Sequence, residues 1–266
     1  MVFLRSAVFH VLFYIVLVGL MIIGLPYAFM PRQKMLDLPK LWGRISLFLL
    51  DRVCGLKVEF RGLEHLPAGG VIIAAKHQSF LETFAMPTKL ADFTYVLKRE
   101  LMAIPLFGWY LRAAEQMAID RARRTSALTQ VAKEARKILA QGRQIVIFPE
   151  GTRKPVGAPP DYKAGVALVQ AETGALCVPV ALNTGLFWPR RGFARRPGRA
   201  VIAFLEPIAP GLDRRAFMAL LQERIETASN RLAAEAFAQD PSLRNFAMAE
   251  RNSSVANAAA GTKRRR

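Results

Sequence analysis

The chain has 266 residues, 52% of them hydrophobic, and sets 38 Lys and Arg against 20 Asp and Glu for a formal charge of +18. That length holds one sizeable α/β domain plus appendages, and a positive mean hydropathy beside so much positive charge favours an anionic membrane over nucleic acid as partner. Two distant cysteines, Cys54 and Cys177, and three unclustered histidines argue for free thiols in a reducing compartment and against a metal site.

Residues 6–31 carry no charge and exceed the roughly 20 apolar residues that cross a bilayer core. The segment LPYAFMPRQ offers no small-residue cleavage site, so a retained membrane segment is expected instead of a secretory signal. Gly19, Gly24 and Pro26 leave open whether it spans or bends back as a re-entrant hairpin, and Arg5, Arg32 and Lys34 do not orient it. Leu41, Trp42, Ile45, Phe48, Leu49 and Val53 then recur at helical spacing beside Lys40, Arg44 and Arg52. This is an amphipathic helix, lying in the headgroup region or packed on the domain that follows. Residues 1–55 are thus expected to be a membrane anchor.

From residue 56 onward, strand-length apolar runs occur at 71–75, 93–97, 116–119, 144–148, 176–182 and 200–205. Helical patterns fall between several of them, at 101–112, at 125–141 stopped by Gly142, and at 163–173 stopped by Gly174. Such alternation predicts an α/β fold with a mixed, largely parallel sheet flanked by helices. A last helix at 214–238 closes the domain, 56–238. Residues 239–266 turn small and polar and end KRRR, which predicts a disordered basic tail that can meet acidic lipid.

The stretch 71–84, VIIAAKHQSFLETF, carries the most chemistry. A β-branched run ends at Lys76 and delivers His77, an imidazole able to take a proton near neutral pH. Glu82 lies five positions on. Two helical residues so spaced sit roughly 140° apart around the axis, so His77 must precede a helix that has Glu82 in its first turn if the two are to pair. Ser79 and Glu82 also have the spacing of a capping box, which needs no catalysis.

Pro149, Glu150, Gly151, Thr152 and Arg153 follow the strand at 144–148. Glycine there admits a ligand close to the backbone, and arginine offers a planar fork of donors suited to phosphate. Lys98 and Arg121 stand at strand ends, where open α/β sheets place ligand-binding groups. The apolar, aromatic segment 105–109 is either core or one wall of a groove for an acyl chain. No Gly-x-Ser-x-Gly elbow is present to support an acyl-serine.

In order, His-x4-Glu, the Lys-x-Glu and Ile-Asp-Arg segments, Phe-Pro-Glu-Gly-Thr-Arg, and Val178-Pro179-Val180 resemble the four blocks of the glycerophospholipid acyltransferase family, over roughly residues 56–206. The resemblance implies that His77, paired with Glu82, is the base for direct transfer from an acyl thioester, acyl-CoA or acyl carrier protein, to the sn-2 hydroxyl of a 1-acylglycerol 3-phosphate. It implies that Arg153, Gly151, Glu150 and Thr152, helped by Lys98 and Arg121, bind the acceptor phosphate, and that Pro179 and Val178 serve the acyl or donor side. It implies no cofactor, and no nucleic acid as partner. A domain facing the cytoplasm from the inner membrane is the expected location. Lys76 stands where the family has asparagine and Glu82 where it has aspartate. Two alternatives follow: another lysolipid such as lyso-ornithine lipid as acceptor, or a non-catalytic binder of anionic lipid.

Overall fold

The computed structural model describes the backbone of residues 1–119 and 124–263, and the side chains of these except at 28, 124–129 and 254–263. Its described strands form one sheet: β1 (Leu56–Arg61), β2 (Ile72–Ala75), β3 (Phe93–Lys98), β4 (Met117–Ile119), β5 (Gln144–Ile147), β6 (Cys177–Leu182) and β7 (Gly198–Phe204), ordered β1-β7-β6-β2-β5-β3-β4. Only the β6–β7 pair is antiparallel. The sheet is therefore mixed and largely parallel, as the alternation predicts. β1 adds a strand that the apolar runs do not announce, because at the sheet edge LKVEFR keeps only Leu56 fully buried.

β2 is buried at all four positions, which is why it reads as a continuous apolar run and not as an alternation. Ile73 and Ala75 pack towards one layer, where α1 (Val2–Ile23), α2 (Arg32–Leu49) and α3 (Leu81–Ala85) lie. Ile72 and Ala74 pack towards the other, with α5 (Arg124–Ala140), α6 (Gly165–Thr173) and α7 (Arg214–Gln239). The Asp213 side chain accepts from the Arg215 and Ala216 amides and so starts α7.

The segment expected as one helix at 101–112 divides. A 3-10 turn covers Arg99–Ala103, and α4 is Phe107–Ala113. Pro105 forces this, since the residue before a proline is pushed out of the helical region, and Ile104 is indeed extended (φ −68°, ψ 122°). The expected disordered tail also differs, as Ser242–Lys263 is helical (α8) and buries Leu243 and Ala247 against the core.

The apolar N-terminus does not run straight through residue 31. α1 ends at Ile23, a 3-10 turn at Leu25–Phe29 carries Pro26, and α2 returns alongside α1. α1 is long and apolar enough to cross a membrane. It nevertheless docks one stripe on the domain: Phe13 lies 5.0 Å from the Trp42 ring and 5.5 Å from Phe84, and Phe9 lies 5.6 Å from Trp188. Its outer face, with Val11, Ile15, Val18 and Ile22, is exposed. α2 approaches α3 closely because Gly43 has no side chain; a Cβ there would sit 2.4 Å from the Phe84 carbonyl oxygen. Leu41 and Phe48 remain on its exposed side. The amphipathic pattern thus becomes a helix packed on the domain, with Leu41 and Phe48 on its exposed side.

Candidate active site

Four neighbouring parallel strands, β6, β2, β5 and β3, end on the same side of the sheet. Just past those ends come Thr184, His77 and Gly151, with Lys98 the last residue of β3. Parallel strands place their carboxyl ends together, so residues more than a hundred positions apart converge there.

His77 follows β2 in the loop that leads into α3, and its Nδ1 lies 3.0 Å from Glu82 Oε1. The same Glu82 oxygen accepts from the Gln78 amide (2.8 Å) and the Ser79 amide (2.6 Å), while Oε2 accepts from the Thr184 hydroxyl (2.7 Å). Glu82 is completely buried. An ionised carboxylate can only accept, so the imidazole donates from Nδ1 and leaves its Nε2 lone pair free. One carboxylate thus meets the histidine ring and two amides of the loop ahead of α3, whose N-cap Phe80 has no side-chain cap bond. Ser79 does not complete the expected capping box, since its Oγ accepts from the Leu81 amide.

The His77 peptide is held on both sides. Its amide donates to Glu150 Oε2 (3.1 Å), and its carbonyl accepts from the Lys154 amide (2.8 Å). Its ring stacks on Phe148 at a centroid distance of 4.0 Å and 17° between planes, and Phe148 stacks in turn on Tyr95. Glu150 is 1% exposed, with both oxygens engaged inside the protein. Its other oxygen takes Lys76 Nζ at 3.1 Å, and Lys76 also reaches Glu226 Oε1 at 2.5 Å, which Tyr162 Oη approaches at 2.8 Å. Burial pushes the Glu150 carboxyl up from the ordinary carboxylate range, and Lys76 pulls it back.

Gly151 adopts φ +64°, a conformation that glycine enters without the penalty other residues incur. Thr152 is exposed and Arg153 half-buried. Burial and then the Arg190 guanidinium hold Arg153 below the ordinary arginine range, with Glu82 pulling the other way. Lys98 is exposed at the end of β3, and Arg121 lies outside the described residues. Val178 and Pro179 are buried in β6, opposite Ile73 and Ala74, and take no part in lining the cavity beside His77. They belong to the sheet interior.

That cavity measures about 610 Å³. His77, Gly151 and Lys98 stand on its polar side, and apolar side chains make up nearly all the rest. Leu17, Leu20 and Met21 of α1, Leu36 and Trp42 of α2, and Leu101, Phe107, Tyr110 and Ala114 form walls. Of the segment 105–109, Phe107 lines the cavity. Two contributors escaped the sequence reading. Thr184 sits in an ordinary-looking Asn-Thr-Gly, and the α1–α2 wall comes from what reads only as an anchor.

The acyltransferase family model matches residues 57–183. A 1-acyl-sn-glycerol-3-phosphate acyltransferase of Pseudomonas aeruginosa is 40% identical over 157 residues, 59% of this chain and 61% of that protein. A chloroplastic 1-acyl-sn-glycerol-3-phosphate acyltransferase of Arabidopsis thaliana is 32% identical over 182 residues, 65% of this chain and 49% of that protein. The match thus spans about half to three fifths of these relatives' length. In fold it is similar to the crystal structure of the 1-acyl-sn-glycerophosphate (LPA) acyltransferase PlsC from Thermotoga maritima, with TM-score 0.73 and 22% identity, over 88% of this chain and 98% of that one.

Proposed function

We propose that this chain, whose residues 57–183 match the acyltransferase family model, moves a fatty acyl group from an acyl thioester to the sn-2 hydroxyl of 1-acylglycerol 3-phosphate, forming phosphatidic acid. The observation that carries this reading is the His77–Glu82 pair opening onto a largely apolar cavity, with Arg153 close enough to Glu82 to feel its charge. His77 Nε2 takes the proton of the acceptor hydroxyl. The hydroxyl oxygen attacks the thioester carbonyl, the C–O bond forms and the C–S bond breaks, and the imidazolium returns its proton to the departing thiolate. Glu82, accepting from Nδ1, faces the imidazolium and holds the ring in the productive tautomer. Acyl-CoA or acyl carrier protein is the donor, and the cavity holds an acyl chain.

Membrane association follows from the exposed apolar faces of α1 and α2 together with a basic surface. The acceptor's acyl chain stays in the bilayer, and Arg153, Thr152 and the exposed Lys98 draw its phosphate to the strand ends. Because thioester donors are cytoplasmic, we place the domain on the cytoplasmic side of the inner membrane.

Lyso-ornithine lipid as acceptor loses its motive. It rests on Lys76 beside the base, yet Lys76 is only 3% exposed and is turned to Glu150 and Glu226. The experiment is transfer of labelled acyl-CoA to lysophosphatidate by the full chain in mixed micelles, with His77→Ala alongside. The variant is expected to lose about 10²–10⁴-fold in kcat, the usual contribution of a general base. Near-wild-type turnover in His77→Ala would sink the mechanism, and absence of any acylated product with the wild type would sink the activity.

A further inference from the structure

Residues 183–189 are buried throughout and are stitched to the loop that carries His77. The Thr184 hydroxyl donates to Glu82 Oε2, and the Gly185 amide donates to Gln78 Oε1 at 3.1 Å. Arg190 is the first exposed residue after this fixed segment. Its Nη1 donates to the Arg153 carbonyl at 3.1 Å, and its amide donates to Glu250 Oε1 of α8 at 3.1 Å. The backbone and the guanidinium of Arg190 are thereby both located, one by α8 and the other by the phosphate-suited loop.

The sequence 189–199, PRRGFARRPGR, is rich in arginine. Arg195 lies over Trp188, Arg196 over Phe246, and Arg199 pairs with Glu59. Arg190 differs from these three, since its guanidinium meets a backbone carbonyl of the site and, among the described residues, no carboxylate within ion-pair distance. Arg153 likewise has no hydrogen-bond partner for its guanidinium among the described residues. Two guanidiniums held near one another repel, and that repulsion adds to the lowering at Arg153. An anion received between them would remove the repulsion and gain bidentate, charge-assisted hydrogen bonds.

We propose that Arg190 and Arg153 form a two-guanidinium site for a substrate phosphate, with Arg190 a specificity-determining residue for phosphorylated substrates. This rests on the reading of a phosphorylated acceptor given above. A phosphate also occurs on acyl-CoA, so the shared chemistry is a phosphate group, and the acceptor phosphomonoester is the source we favour.

The test measures binding of the full chain in neutral detergent to three probes: lysophosphatidate, the phosphate-free 1-acylglycerol, and acyl-CoA. Arg190→Ala, Arg190→Lys and the charge control Arg199→Ala are compared with the wild type. Arg190→Ala is expected to weaken lysophosphatidate binding about tenfold or more, the scale of a lost hydrogen bond between charged groups. Arg190→Lys should recover only part of this, because lysine lacks the fork, while 1-acylglycerol binding and the Arg199→Ala control stay at wild-type values. A loss confined to acyl-CoA would assign the phosphate to the donor. Binding of lysophosphatidate and acyl-CoA within twofold of wild type in Arg190→Ala would overturn the site. Turnover is scored separately: a wild type that binds lysophosphatidate but forms no product defeats the proposed activity and leaves the anion site standing.

Discussion

Lys76 and Glu150 meet at 3.1 Å inside the protein, and the second Glu150 oxygen accepts the His77 amide. A residue of β2's outlet and a residue of β5's outlet are thus tied by charge directly behind the base. Lys76→Met would leave the buried Glu150 and the mostly buried Glu226 without their cation. Removing one partner from a buried pair costs about 3–5 kcal/mol, so a loss on that scale is expected in denaturant unfolding. Adding Glu226→Gln to Lys76→Met should restore part of it. Unchanged stability in the single variant would mean that the charges are not coupled.

Glu82→Gln separates the two duties of one carboxylate. The amide oxygen can keep the bonds from Gln78, Ser79 and His77, and the Thr184 hydroxyl can rotate to accept from the amide nitrogen. The missing negative charge is what the imidazolium needs. The melting temperature is expected to stay close to wild type while kcat falls about 10²-fold or more. Full activity would reduce Glu82 to a brace for the loop amides of Gln78 and Ser79.

The 610 Å³ cavity makes a prediction about chain length. Ala114 is buried in its wall, so Ala114→Phe narrows the groove without touching His77. Competition among acyl-CoA donors of graded length should show the preference moving to shorter chains, with short-chain turnover kept. A preference identical to wild type would place the acyl chain elsewhere.

Phe13 tests whether α1 belongs to the folded domain. Its ring is buried among Trp42, Phe84 and Trp188. Phe13→Ala is expected to cost about 3–5 kcal/mol, as large-to-small core changes do. The measurement is unfolding in detergent. An α1 that merely crossed the bilayer beside the domain would lose far less.

By itself, the sequence determined the parts of this protein that depend on local pattern. Alternating apolar runs and helical periods gave the α/β class, because burial on both faces of a parallel strand leaves a continuous apolar run. The five-residue spacing of His77 and Glu82 required a loop histidine ahead of a helix with Glu82 in its first turn, and left their pairing open beside a capping box. Pro105 already held the break in 101–112, although the apolar spacing masked it. Tertiary structure alone decided what converges from distant segments. Thr184 reaches Glu82 only because β6 lies beside β2, and Glu150 turns inward only because Lys76 and the His77 amide are there to meet it. Val178 and Pro179, expected on the donor side, became interior residues of a central strand. Helices α1 and α2, expected as an anchor, became walls of the cavity. Such outcomes follow from strand order and layer packing, which bring together residues with no local signal of their proximity.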